Sequence, residues 1–152
     1  MAGFTDGVLT MARSVKVQQK FSGLEAYSAM AQAILAACPV SPTAVVIETP
    51  QQYPGSSPAP RSQVQALEGV AGAIAAVFAP RGAAIVQYLP KQWKGQLPKE
   101  VAFRRILSRL SASEVVVEPN LFDVLAHPAS KWGHVVDAVG IGLHHLGRFK
   151  TR

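Results

Sequence analysis

Two short apolar runs constrain this chain most. Thr43–Glu48 (TAVVIE) and Ala83–Leu89 (AAIVQYL) are each bounded by Pro or Gly within two residues. Both are too short for an ordinary helix and rich in β-branched side chains. They predict strands buried on both faces, as in a mostly parallel or mixed sheet. Between them Arg61–Phe78 repeats with helical period, with Leu67, Val70, Ala71, Ile74, Val77 and Phe78 expected inward. Strand, helix, strand in that order is the sequence form of a crossover connection.

The flanking segments extend the alternation. Gly3–Val17 carries apolar and β-branched residues around Asp6-Gly7, a hairpin dipeptide, and predicts strand, turn, strand. Gly23–Ala37 is helix-periodic through Leu24, Tyr27, Ala31, Ile34 and Leu35, and Cys38-Pro39 and Pro42 stop it. Thr49–Pro60 is a Pro/Gly/Ser loop, and Pro80-Arg81-Gly82 a turn. Pro90–Leu97 is expected as a loop, then a helix from Pro98 to about Leu110 with Val101, Ile106 and Leu110 inward. In Ser111–Ser130, VVVE suggests a strand and NLFDVLAH a helical turn. Lys131–Leu146 closes the chain as a helix, followed by the basic tail Gly147–Arg152. The expected architecture is one α/β three-layer domain over residues 1–152.

Net charge is +6, which favours an anionic partner, nucleic acid being the commonest. The basic residues cluster: Lys91, Lys94, Lys99, Arg104, Arg105 and Arg109 stand against one acid, Glu100, and Arg148, Lys150 and Arg152 end the chain. Such cations neutralise phosphates and make binding salt-dependent. A solvated helix face has the same composition. Trp93, between two lysines, is placed either to stack on an exposed base or to anchor its own loop. Arg61, Gln63 and Gln65 follow the proline-rich loop and are further candidates for contact with a strand. The single Cys38 forms no internal disulfide and is expected to be a buried thiol in a reducing compartment. No secretory signal is legible, and no apolar stretch is long enough to span a bilayer. The expectation is a soluble intracellular protein.

Three ionisable residues stand on elements that should face a core. Glu48 ends the first apolar run. His134 and Asp137 lie one turn apart on the last helix, in HVVDAVGIG. Acidic groups are rarely left there unless paired or bound to a cation. Phosphodiester hydrolysis by two divalent cations uses such oxygen ligands, and an imidazole either joins them or carries a proton. Taken singly, a strand-end Glu also caps helices or pairs with Arg, and a helical His–Asp pair is often a surface pair. His144 and His145 lie too far along the helix to share one site with Asp137 and read as packing or surface residues. Asp123 and His127 carry no assignment.

Taken in order, VVIETP, the Pro/Gly/Ser loop, a small-residue helix, AAIVQYLP, KQWKGQLPKEVAFRRIL and GHVVDAVGIGLHHLGR resemble the RuvC-type Holliday-junction resolvases, in their compact, phage-like form. The resemblance covers about residues 43–148. It implies an RNase H-like three-layer domain with a mixed central sheet flanked by helices, and endonucleolytic cleavage of branched DNA at four-way junctions. It implies Mg²⁺ or Mn²⁺ as cofactor, a homodimer, and a cytoplasmic setting in a bacterial cell or phage-infected host. Glu48 matches the Glu that ends the family's fourth strand. His134, Asp137, Ala138 and Ile141 match its final helix, and Lys91, Trp93, Lys94 and Lys99 its lysine-rich loop. Glu48, His134 and Asp137 are then the catalytic and metal-binding residues. Lys91, Trp93, Lys94, Lys99, Arg104 and Arg105 are the nucleic-acid contacts.

One departure matters. The family opens on a central strand I-x-I-D-x-G whose Asp bridges both metals, and no such segment precedes Gly3. Either the chain is a truncated form whose first two strands are the family's second and third, or Asp6 is itself the missing acid in a shortened strand. The first is preferred, because Asp6-Gly7 sits where a hairpin turn is expected. Two other readings remain: a catalytically inactive RNase H-like DNA-binding module, and a nuclease of this fold acting on RNA–DNA hybrids or flaps.

Overall fold

The computed structural model describes residues 1–17, 23–38, 40–49, 61–122, 125 and 132–149, with the side chains of 61–63 left aside. The proline-rich loop beyond Thr49, Pro39, Asp123, His127, Lys131, Lys150 and Arg152 lie outside the described residues. The protein is mixed α/β and forms two compact units, Met1–Ser14 with Lys91–Arg152, and Val15–Pro90. In place of one mixed central sheet, the described residues form two separate two-stranded sheets, one antiparallel and one parallel. The two pairs lie in different units, and no described strand joins them.

In the first unit β1 (Ala2–Thr5) and β2 (Val8–Ala12) form the expected hairpin. Asp6 and Gly7 both take positive φ, +50° and +79°, the two-residue turn that Asp-Gly favours. Phe4 faces Leu9 and Gly3 faces Met11, so Thr10 is bulged out of the register. The segment Pro90–Leu97 is not a plain loop: it begins with one helical turn, α3 (Pro90–Trp93). Helix α4 (Lys99–Leu107) buries Ala102, Phe103, Ile106 and Leu107. Val101, expected inward, is 47% exposed, because the stripe 102/103/106/107 puts it on the opposite side of the helix. The VVVE run is not a strand. Ser111 and Glu114 form a reciprocal capping box that starts a short helix, α5 (Ala112–Val115), followed by a 3₁₀ turn at Pro119–Phe122.

Helix α6 (Trp132–His145) is the centre of this unit. Gly133, Val135, Val136, Val139, Gly140, Ile141 and Leu143 are buried around most of its circumference. Neighbours approach at glycines. A methyl group on Gly140 would stand 2.5 Å from the Trp93 ring and 2.6 Å from Ile106, and one on Gly142 would collide with Phe4.

A buried ionic group ties the hairpin to both ends of this arrangement. The Glu114 carboxylate, 1% exposed, accepts the Leu9 N–H at 2.7 Å and the Ser111 N–H at 2.8 Å. It also accepts both arms of the Arg148 guanidinium, at 2.5 and 2.8 Å. Arg148 further donates to the backbone oxygens of Gly7 and Arg109. Arg148 above all holds the Glu114 carboxyl far below the usual carboxylate range, outweighing the burial that pushes it up.

In the second unit α1 (Gly23–Ala37) and α2 (Arg61–Phe78) pack together, with Gly69 against the Tyr27 ring. β3 (Ala44–Glu48) and β4 (Ala84–Tyr88) pair in parallel, Val46 facing Val86 and Glu48 facing Tyr88. A 3₁₀ turn and Gly82 at φ +86° end α2, as the Pro-Arg-Gly signal predicts. Burial is thinner than expected. Val45, Val46 and Ile47 are half-buried rather than covered on both faces, since among the described residues this sheet has two strands only. Leu24 and Leu67, expected inward, are 82% and 57% exposed. Leu24 lies in the first turn of α1, and Leu67 lies about 200° around α2 from Gly69, the residue that meets α1. Cys38 is half-buried.

Two stability outcomes follow. Replacing Arg148 by Met strands a buried carboxylate and should cost about 3–5 kcal/mol in chemical denaturation. Because the native carboxyl is depressed, the stability it contributes is present above the ordinary carboxylate pKa. It should fall as pH drops below roughly 5 in the wild type, and this fall should be much weaker in Arg148→Met. Gly140→Ala should lower stability by about 1–3 kcal/mol or more and red-shift tryptophan fluorescence as Trp93 is displaced. Gly72→Ala, on an open helix face, should instead gain up to about 1 kcal/mol.

Candidate functional site

The exposed strip of α6 carries the site. His134 is exposed and Asp137, three residues on, is half-buried, while the rest of that helical turn faces the core. Burial raises the Asp137 carboxyl above the ordinary carboxylate value, against the pull of Lys94, Lys99 and His134. The nearest of these cations is Lys94, whose Nζ lies 3.8 Å from Asp137 Oδ1.

Lys94 is there because of Trp93. The indole is 3% exposed, wedged against Gly140 on the helix that carries Asp137, and the Lys94 ammonium sits 4.9 Å from its ring centre. Trp93 is thus the anchor of its segment. Its ring is not presented to solvent as a stacking surface for a base. Of the remaining predicted cations, Lys99 also acts on Asp137 and Arg105 shares a groove with Lys94. Lys91, Lys99, Arg104 and Arg105 are exposed. Lys99 is braced over Phe103 at 5.3 Å and Arg105 over Phe149 at 4.8 Å. A shallow groove runs beside them, floored by Trp93, Leu97, Ala102, Ile106 and Phe149 and edged by Lys94 and Arg105.

Two other predicted residues do not join this cluster within the first unit. Asp6 occupies the hairpin turn, whose Gly7 carbonyl is held by Arg148 beyond the C-terminal end of α6. From Asp137 to that end is about 12 Å of helix axis, so the structure does not bring Asp6 to Asp137. Glu48 belongs to the second unit, where it is exposed at the C-terminal end of β3, opposite Tyr88. Carboxyl ends of parallel strands are where α/β sheets present ligand-binding groups. Among the described residues no three His, Cys, Asp or Glu side chains come together to hold a metal. His134 and Asp137 suit a divalent cation in kind, an imidazole and an oxygen donor on one face, with a cation already drawn to the carboxylate. They supply two ligands and need a third from elsewhere.

Sequence reading missed the Glu114–Arg148 pair. Its legible signal was Ser111-x-x-Glu114, a capping box written immediately before VVV.

No family model matches the chain, and no curated protein or solved structure is significantly similar to it.

Because the native Asp137 carboxyl is raised, its ionised form is disfavoured in the fold, and its contribution to stability falls as pH rises through the carboxylate range. Asp137→Asn should therefore leave thermal stability at pH 7 unchanged or slightly higher. In a carbon-detected NMR titration, Lys94→Met should raise the Asp137 midpoint further, since it removes an ammonium that lowers it.

Proposed function

We propose that the chain is a metal-dependent endonuclease of the RuvC-type, RNase H-like kind, acting on branched DNA as a homodimer. One observation carries the reading. A half-buried acid, Asp137, with His134 one turn before it, sits beside Lys94 and feels Lys99, in the compact unit that also carries exposed Lys91, Arg104 and Arg105. Acid and imidazole suit a divalent cation, and the neighbouring lysines and arginines suit the phosphates it would act on. Strand pairing gives further support. The resemblance makes β1 and β2 the family's second and third strands and has β3 end at the site glutamate. An antiparallel hairpin in one unit and a parallel pair in the other agree with that assignment, each taken by itself.

On this reading Asp137 and His134 would be metal ligands of their unit and Glu48 a ligand-type carboxylate of its own, and Mg²⁺ or Mn²⁺ would supply an activated water and a sink for charge on the leaving oxygen. Lys91, Lys99, Arg104 and Arg105 bind and orient the phosphate backbone. The placement of Asp6 away from Asp137 favours a second reading, an RNase H-like module that binds junctions without cutting them.

A labelled four-way junction separates the two. Nuclease activity predicts paired nicks with Mg²⁺ or Mn²⁺, lowered by about a hundredfold or more in Asp137→Asn and in Glu48→Gln. Loss even of the groups that support metal ligands costs about 10- to 100-fold. Salt-sensitive binding without nicking assigns the binding module. Stronger cutting of hybrid or flapped substrates moves the substrate within the fold, and neither binding nor cutting overturns both readings.

A further inference from the structure

We infer that the groove beside α4 docks a protein partner through a short acidic peptide segment that carries one large apolar side chain. The groove lies wholly within the first unit, and the inference stands whether or not the chain cuts DNA. Its floor of Trp93, Leu97, Ala102, Ile106 and Phe149 is almost entirely apolar. Leu97 is 40% exposed, and Val101, one turn before Arg105 on the same side of α4, is 47% exposed. Apolar surface is thus left uncovered beside Arg105. The groove is shallow, far short of the roughly 300–1,000 Å³ clefts that enclose small molecules and cofactors. It seats part of one side chain rather than a whole ligand.

Charge identifies the occupant. The rim has two cations, and Lys94 already faces Asp137. Arg105 is braced over Phe149, and among the described residues no carboxylate pairs with it. A guanidinium held beside apolar surface suits a carboxylate that flanks an apolar anchor. Lys91, Lys99 and Arg104, exposed in the same unit, add to the attraction for further acids. Nucleic acid fits the groove itself less well. Trp93 is 3% exposed and Phe149 has Arg105 over its ring, so neither is an open platform for a base. Nor does a second copy of the chain supply the occupant. No two of its nine acids stand closer than four residues apart, and of the closest pair, Glu114 and Glu118, the first is buried under Arg148.

Fluorescence anisotropy of a fluorescein-labelled peptide, GDEDFDEG, titrated with the full chain tests this. Wild type should bind it, and bind the serine analogue GDEDSDEG about tenfold more weakly, the scale of burying part of an aromatic side chain. Leu97→Ser, a change on the surface, should weaken binding of GDEDFDEG by a similar factor and leave GDEDSDEG unaffected. Arg105→Gln should weaken binding about fivefold, the scale of a partly exposed ion pair. Arg104→Gln, the same loss of charge one position away, should weaken it less than about twofold. Absence of binding overturns the inference. So do equal affinities for the two peptides or equal losses in the two arginine variants, since net charge alone would then account for the attraction. If oligothymidylate binds more tightly than the peptide and loses that affinity in Leu97→Ser, the groove belongs to nucleic acid. If the chain self-associates and Leu97→Ser abolishes it, the groove belongs to a second copy. Either result overturns the assignment to an acidic peptide.

Discussion

The Glu114 carboxylate is the interaction on which the first unit depends. It takes the N–H of Leu9 from the hairpin, the N–H of Ser111 at the start of α5, and the guanidinium of Arg148 from the end of α6. Three segments remote in sequence thus share one acceptor group. A carboxylate this deeply buried is tolerable only when its lone pairs are filled, and here they are. The arrangement fixes the hairpin to the end of α6, with Gly7 held by the same arginine. It thereby determines that Asp6 belongs near the C-terminal end of the helix, away from Asp137.

The middle of α6 is organised by close approach rather than charge. Gly140 lets the Trp93 indole reach the helix backbone, and Ile106 of α4 fills the space beside it. Small residues on a helix are usually read as lost propensity. Here they set the distance at which neighbouring segments lie, and so bring a lysine from the loop after β4 onto an acid of the helix. Packing comes first, and the electrostatics of the site follow from it.

What was legible in the sequence was local. Asp6-Gly7 announces a hairpin because both positions need positive φ, and Asp and Gly tolerate it. The TAVVIE and AAIVQYL runs announce strands, and the spacing of His134 and Asp137 announces a shared helix face. Readings failed where a partner distant in sequence decided the outcome. VVVE looks like a strand until Glu114 is taken by Ser111 and Arg148. Val101 and Leu67 look inward until the neighbouring helix chooses another stripe. Trp93 looks like a ligand for a base until Gly140 accommodates it. The pairing of Lys94 with Asp137 leaves no sequence signal, because it depends on that same indole.

The two units are unequal, and the inequality bears on the site. The first buries Phe103, Ile106, Leu121, Leu143 and three valines almost completely, whereas the described core of the second is Ala31, Ala71, Phe78 and Ala83. Asp137 is therefore held on a helix packed on most sides, and Glu48 at the end of a two-stranded parallel pair with half-buried faces. Parallel strands are ordinarily covered on both faces, and two alone make a poor scaffold. Within its own unit Asp137 is thus presented on a rigid support, whereas Glu48, within its own, stands on a strand that packing constrains less.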